Sequence, residues 1–158
     1  MAKCAQSKFT GIKAVLEYQI LCPEETPVEL DWKRVGAMTT KDFSLEWDLT
    51  EADGDDNDGP VMEQLAASLN MTVSGDGLCK KTDDSTSNQI ALTQHVHNPE
   101  ATGDQPYAWI RLTYPDLTFT FPALVNNMSR TGENRSAVTF SFEATAIKRG
   151  TSAPTPVV

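Results

Sequence analysis

A strict two-residue alternation of apolar and polar side chains runs through residues 41–50 and limits how this chain folds more than any other pattern. Phe43, Leu45, Trp47 and Leu49 share one phase, and polar residues occupy the other. Successive side chains of a strand point to opposite faces of a sheet. The pattern therefore predicts a strand with one face packed on a core and one solvated face, and it indicates a mainly β protein.

The polar phase of this strand opens a long stretch of one charge sign. Residues 42–79 contain no Lys or Arg, although the whole chain has 13. A sheet surface that carries only negative charge attracts positively charged partners and repels negatively charged ones. The acids of the stretch are Asp42, Glu46, Asp48, Glu51, Asp53, Asp55, Asp56, Asp58, Glu63 and Asp76.

Length and charge narrow the class of protein. A chain of 158 residues suits one domain around one core. The net charge of −9 argues against a duplex DNA binder, because phosphate contacts need clustered Lys and Arg.

No apolar run approaches the length of a membrane span, and residues 1–8 lack a signal-peptide pattern, so synthesis in the cytoplasm is expected. Cys4, Cys22 and Cys79 match no CxxC spacing and are expected to be free thiols.

Similar patterns along the chain predict six or seven strands and one helix. A polar loop is expected over 51–60, a short helix or turn over 60–68, the helix over 82–98 with a cap from Asp83, Asp84 or Ser85, and a further loop over 126–136. Two sheets packed face to face, or a small incomplete barrel with a flanking helix, satisfy this order. The other predicted strands are 15–22, 32–38, 69–78, 107–114, 117–121 and 137–147.

No catalytic or metal motif emerges, and we expect no enzyme, metal or cofactor. The loop that begins at Asp53 places Asp58 where a calcium-binding EF-hand needs Gly. His95 and His97 are the only histidines, which weakens both metal ligation and catalysis by a positioned base. Trp47 lies in the apolar phase of its strand, so core packing is favoured over a sugar-binding platform.

The order of features resembles the major tail tube protein of long-tailed, non-contractile bacteriophages. The similarity covers residues 10–150. It is most specific in the segments VGAMTTKDFSLEWDLT, residues 35–50, and LNMTVSGDGL, residues 69–78, and a helix, a hairpin and a final SFEATA strand follow. The resemblance implies a β-sandwich or incomplete barrel of tail-tube type with one flanking helix. Residues 1–149 would form a single domain with an arm at 1–11, and residues 150–158 an extended or disordered tail.

The resemblance also implies an assembly. Six copies would form a ring, rings would stack into a tube, and DNA would pass through the lumen without specific binding. Partners would be further copies of the chain and the tape-measure, tail-tip and terminator proteins, in a virion assembled in the host cytoplasm. No membrane insertion is implied.

Charge suggests where this chain would meet its partners. Glu46 and Asp48, with Thr72 and Ser74 as neutral neighbours, are candidates for the lumen, and the tube exterior is the alternative. Two further sets are candidates for contacts between copies. The acidic inter-ring set is Glu51, Asp53, Asp55, Asp56 and Asp58, and the basic set is Lys33, Arg34, Arg130, Arg135, Lys148 and Arg149.

Two other classes remain open at this stage. A carbohydrate-binding β-sandwich would need an exposed Trp109 or Tyr107. A decoration or tail-terminator protein would form single rings or surface trimers and never filaments.

Overall fold

The computed structural model describes residues 14–51, 59, 64–84 and 87–155. The predicted arm at 1–11 and most of the acidic loop, including Asp53, Asp55, Asp56 and Asp58, lie outside these residues. The helix α1 spans Gln89–His97. The strands are β1 Val15–Gln19, β2 Lys33–Arg34, β3 Ala37–Glu51, β4 Gln64–Leu78, β5 Tyr107–Thr113, β6 Leu117–Thr131, β7 Thr139–Ala146 and β8 Thr151–Pro154.

The strands form one antiparallel sheet in the order β2-β1-β5-β6-β7-β4-β3, with β8 also paired to β6. The mainly β class with one flanking helix, predicted from the sequence, is confirmed. The predicted hairpin of β5 and β6 is present, with Ile110 opposite Phe121. Alternation in β7 buries Phe140, Phe142 and Ala144, as the pattern indicates.

The long strand β6 connects the two halves of the sheet. Its first half pairs with β5 on one side and with β8 on the other. Its second half pairs with β7, from Ala123 to Thr131. β7 and β8 thus follow one another along the same side of β6, and the turn between them is held by the Ile147 N–H, which donates to the Pro122 carbonyl oxygen at 3.1 Å. The predicted tail at 150–158 is therefore extended over Thr151–Pro154.

The core is built from alternate residues of β1, β4, β5, β6 and β7 and from Leu92 of α1. Its largest fully buried members are Tyr18, Phe121, Phe140, Phe142 and Leu92. Phe43 of β3 joins this core, since its ring lies 4.5 Å from that of Phe119, centroid to centroid. Burial of these apolar side chains is the main stabilising term.

β3 and β4 extend beyond the rest of the sheet as a two-stranded ribbon. β4 pairs with β7 only from Thr72 to Leu78, whereas its pairing with β3 continues out to Gln64. The ribbon, residues 45–51 and 64–71, therefore has no third strand among the described residues. Its apolar phase stays in solvent: Leu45, Trp47 and Leu49 are 52%, 45% and 60% exposed. The prediction that Trp47 and its neighbours pack in the core was wrong beyond Phe43.

The helix is shorter than the sequence predicts, because it begins only at Gln89, with Asp83 bonded to its first turn. The Asp83 carboxylate accepts hydrogen bonds from the N–H groups of Ile90 and Ala91, at 3.1 and 3.0 Å. These N–H groups belong to the first turn, where backbone donors have no partner within the helix. The prediction that Asp83 caps the helix is thus confirmed, although Asn88, and not Asp83, occupies the N-cap position.

Two predicted irregular segments are strands. The short helix or turn expected over 60–68 is wrong from Gln64 onward, where β4 begins. The loop expected over 126–136 is wrong up to Thr131, because β6 continues that far against β7. In both segments, pairing with a neighbouring strand outweighs the local preference, for a helix or turn in the first and for a loop in the second.

Candidate functional site

Polar side chains cover one face of four neighbouring strands, β3, β4, β7 and the second half of β6. In one row across these strands, Asp42 lies opposite Ser74, Ser74 opposite Glu143, and Glu143 opposite Asn127. We call this surface the acidic face. Its members are Thr40, Asp42, Ser44, Glu46, Asp48, Ser68, Asn70, Thr72, Ser74, Asp76, Asn127, Ser129, Ser141, Glu143 and Thr145.

The acidic face carries one sign of charge. Five of its members are acids, and none is Lys or Arg. Glu46 and Asp48, the predicted lumen candidates, lie on its ribbon part and are exposed. Thr72 and Ser74 lie on the same face, as expected. Sequence reasoning did not single out Glu143, which lies far along the chain and reaches this face only through the pairing of β4 with β7.

Neutral side chains hold two of the carboxylates against the sheet. Asp76 accepts hydrogen bonds from the Ser141 hydroxyl at 2.6 Å and the Thr40 hydroxyl at 3.3 Å. Asp48 accepts two bonds at 3.0 Å, from the Ser68 hydroxyl and the Asn70 amide. Such bonds fix the position of each carboxylate on the sheet. The face is therefore an ordered, negatively charged surface.

Both lateral edges of the acidic face are open. β3 ends the strand order, and its outer edge has no partner strand among the described residues. At the other side, β5 pairs with β6 only as far as Leu124, so residues 126–131 of β6 have β7 as their single partner strand in the described chain. An open edge presents backbone donors and acceptors to another strand.

The predicted basic residues do not form one cluster. Lys33 and Arg34 form β2, at the opposite end of the strand order from β3. Arg130 donates to the Gln89 side-chain oxygen of α1 at 2.8 Å, and Arg135 lies exposed between β6 and β7. Lys148 and Arg149 lie between β7 and β8, where the Arg149 guanidinium is 5.9 Å from the centre of the Trp47 ring.

Sequence reasoning missed a second charged cluster, centred on Arg111 of β5. Its guanidinium contacts Glu17 at 2.9 Å and Glu29 at 3.0 Å, and lies 4.7 Å from the centre of the Trp32 ring. The three partners come from β1 and from the loop between β1 and β2. Arg111 therefore fastens this loop to the sheet.

Lys41 reaches across to the start of β1, on the side of β3 opposite the acidic face. Its ammonium donates to the Ala14 carbonyl oxygen at 2.6 Å. Desolvation by burial, and then the charge of Arg34, lower the pKa of Lys41.

The histidines, Trp109 and the described cysteines were the other candidates for a functional site. His95 is buried in α1 with Nε2 2.8 Å from the Tyr107 carbonyl oxygen, and His97 is exposed. No group of three His, Cys, Asp or Glu residues in the described chain is arranged to hold a metal ion. Trp109 is half-buried, and its indole N–H donates to the Cys22 carbonyl oxygen at 3.1 Å. Cys22 and Cys79 are free thiols. Nor is any helix of the described chain long and apolar enough to cross a membrane.

Solved structures with this architecture include chains of gene transfer agent particles and the SPP1 tail tube. One subunit of the tail of an empty gene transfer agent particle superposes with a TM-score of 0.70 at 14% identity, covering 94% of this chain and all of that one. A chain from the native gene transfer agent virion gives 0.68 at 13%, with the same coverage. The SPP1 tail tube gives 0.61 at 12%, covering 91% of this chain and 80% of that one.

The chain has a tail-tube fold. The similarity covers nearly all of this chain and the whole of both gene transfer agent chains, so it concerns the complete fold and not one motif. The fold implied by the sequence resemblance is thereby confirmed. No protein-family model and no curated protein sequence matches the chain.

Proposed function

We propose that the chain is a non-enzymatic structural subunit of a phage tail tube, in which the acidic face lines a lumen that DNA traverses. The observation that carries the proposal is the acidic face itself: a wide, one-signed, polar surface on a sheet whose two lateral edges are both open. The tail-tube fold supports it, since the SPP1 neighbour is described as a tail tube.

Strand direction supports closure of such sheets into a ring. β3, β4, β7 and β6 alternate in direction, so the two outer strands run opposite to each other. When β3 of one copy lies beside residues 126–131 of β6 in the next, the new pair is antiparallel, like every other pair in the sheet. Repetition around an axis closes a barrel, which removes the open edges. The copies in the ring number six, the symmetry under which the gene transfer agent tail was solved.

Electrostatics then explains how DNA passes without sticking. Six copies at −9 each carry a formal charge of −54. Each copy adds five acids and no base to the lumen. Duplex DNA binds proteins mainly through cationic contacts to phosphates, so a wall without cations gives no adhesive site and repels the backbone.

Location and partners follow from this role. The subunit is made in the host cytoplasm and resides in the virion. It contacts copies of itself and the tail components that start and end a tube, among them the tape-measure, tail-tip and terminator proteins. The proposal also assigns contact with the next ring to Glu51, the last residue of β3, and to the acids at positions 53, 55, 56 and 58.

Electron microscopy of the purified protein at high concentration, over a salt series, tests the assembly. Hollow tubes or stacking rings are expected, after addition of a tail-tip extract if an initiator is required. Single rings that never stack would instead favour a terminator or decoration role. Monomers under every condition, tail-tip extract included, would contradict the proposal.

Labelling of introduced cysteines tests the lumen. In a background without native cysteines, Thr72→Cys places a thiol on the acidic face and Ala101→Cys places one on an exposed turn outside it. In assembled tubes, a maleimide carrying a bulky polymer should label position 101 and not position 72, and both should label after disassembly. Equal labelling of the two positions in tubes would place the acidic face outside.

A further inference from the structure

The loop between β1 and β2 displays an apolar tip surrounded by acids. Leu30 is 92% exposed and Val28 is 52% exposed, both unusual for large apolar side chains. We call residues 23–31 the acidic knob. Its charged members are Glu24, Glu25, Glu29 and Asp31, and it contains no Lys or Arg.

The knob is held in place from both sides. Gln19 brackets Val28 by accepting from its N–H at 3.1 Å and donating to its carbonyl oxygen. Trp109 donates to the Cys22 carbonyl oxygen at the start of the loop, and Arg111 contacts Glu29. These contacts hold the loop with Leu30 exposed to solvent. Because the loop is already ordered, little further conformational entropy would be lost when Leu30 contacts a partner.

A groove of complementary character lies at the base of the ribbon. It has a volume of about 240 Å³ and an apolar floor with a basic rim. The exposed Trp47 and Leu45 lie on the same face of the ribbon as two floor residues, their partners Leu69 and Met71. We call it the basic groove. Its lining residues are Leu69, Met71, Ala146, Ile147, Lys148 and Arg149.

Charges on the two surfaces are opposite in sign and, apart from Glu29 with Arg111, unpaired in the described part of the chain. Lys148 and Arg149 form no ion pair in the described part of the chain, and neither do Glu24, Glu25 and Asp31. The knob belongs to the β1–β2 end of the strand order and the groove to the β7–β4–β3 end. We propose that the acidic knob of one copy docks in the basic groove of another, with Leu30 on the apolar floor and the acids against Lys148 and Arg149.

This contact deepens the proposed tube function and rests on it only in taking the partner to be a second copy. The knob and the groove are different surfaces, so the contact is head-to-tail, the type that generates rings or filaments. Apolar burial supplies affinity, and the charged rim supplies orientation and rejects other pairings.

Photocrosslinking from the knob tests the contact directly. With Leu30 replaced by p-benzoylphenylalanine in the full-length protein, irradiation should give crosslinked dimers whose second site maps to residues 69–71 or 146–149. The same probe at Val138, 42% exposed and outside both surfaces, is the control. A crosslink from position 30 that maps elsewhere, or no crosslinked dimer at any concentration, overturns the inference. Groove crosslinks without tubes would uphold it and count against the tube.

Charge exchange provides a second, independent test. The groove variant K148E/R149E and the knob variant E24K/E25K should each raise the concentration needed for self-association about tenfold or more, while the four substitutions combined in one chain should restore it. Leu30→Ser should also weaken association about tenfold, as expected for one lost apolar anchor. The control Lys81→Glu changes an exposed cation outside both surfaces and should have little effect. Failure of the combined variant to recover would contradict direct pairing.

Discussion

Tyr18 lies fully buried in the core, and its hydroxyl donates to the Asn88 carbonyl oxygen at 2.7 Å. This bond joins β1 to the start of α1. Tyr18→Phe should lower the free energy of unfolding by about 1–2 kcal/mol, because the carbonyl is left without its donor. Urea titration measures the change. Tyr107→Phe is the matched control, since no hydrogen bond of its hydroxyl occurs in the described chain, and an equal loss in both variants would contradict the role of the bond.

Alkaline pH should act through the same residue. Desolvation by burial, and then the charge of Asp83, raise the pKa of Tyr18 above its ordinary value of 10.0. The unfolded chain ionises near pH 10 and the folded one does not, so stability is fully present below pH 10 and falls as the pH rises above it. The stability advantage of the wild type over Tyr18→Phe should shrink above pH 10, measured by urea titration from pH 8 to 11. Some alkaline loss should persist in the variant, because the pKa of Tyr114 is raised too.

Gly150 and Gly103 form a matched pair of left-handed positions, with φ of 66° and 72°. A Cβ at Gly150 would overlap the Thr120 carbonyl oxygen and the Phe121 Cα, whereas a Cβ at Gly103 meets nothing. Gly103→Ala should therefore cost about 1 kcal/mol from backbone strain alone. Gly150→Ala should cost at least about 2 kcal/mol more, since the close packing of the β7–β8 turn on β6 must also open. Thermal unfolding measures both, and similar losses would refute the close packing.

The sequence identified the polar phase of β3 correctly, including Glu46 and Asp48, but misjudged its apolar phase. Alternation reports which residues share a face and not what covers that face. Phe43 has Phe119 as a neighbour, while Trp47 lies on the ribbon beyond the last residue of β7. That difference arises from the relative lengths of strands far apart in the chain, which a local pattern does not contain.

We expect the ribbon to be the element whose stability would change most on the proposed assembly. Isolated two-stranded segments are marginally stable in water, and this one exposes both faces. Amide hydrogens of residues 45–51 and 64–71 should exchange much faster in the free subunit than those of β5, and should become protected in tubes. Hydrogen exchange followed by mass spectrometry measures both states. Slow exchange of the ribbon in the free subunit would show that it is stable by itself.

Strands with clear alternation were predictable, and polar ones were not. β5, the first half of β6, and β7 follow from their apolar phases alone. The outer part of β4 and the second half of β6 carry mostly polar or small side chains, so the sequence indicated a short helix or turn in the first and a loop in the second. Both become strands because a neighbour satisfies their backbone groups, with Thr131 opposite Thr139 as one example.

Charge on the whole subunit should control assembly through the acidic face. In a closed ring the carboxylates of neighbouring copies converge, and their repulsion is screened by salt over a Debye length of about 10 Å at 0.1 M. Substitution of three carboxylates by amides, Asp42→Asn, Glu46→Gln and Glu143→Gln, should lower the concentration needed for assembly at low salt and weaken its salt dependence. Light scattering at low and high salt measures this.

The control for that experiment removes the same charge elsewhere. Glu100→Gln, Asp116→Asn and Glu133→Gln are exposed positions outside the acidic face and the acidic knob. These changes should alter assembly less, because the charges do not converge in the ring. Equal effects of the two triple variants would mean that only net charge matters.

The order of strands in the sheet could not be derived from the chain itself. Pairing of β4 with β7 joins residues more than sixty positions apart, and no local pattern specifies that contact. Neither periodicity nor the resemblance to tail tube proteins chose between a sandwich and an incomplete barrel, and the structure has one continuous sheet. The acidic face became apparent only when β3, β4, β7 and the second half of β6, which was predicted as a loop, were found side by side.

The passage of β6 through both halves of the sheet has a mechanical consequence. The second half of this strand belongs to the acidic face, and its first half pairs with β5 on one side and β8 on the other. A covalent backbone cannot slide as packed side chains can. In the proposed tube, an outward force on the acidic face would therefore be transmitted along β6 into the rest of the subunit, and we expect the wall to resist bulging as one unit.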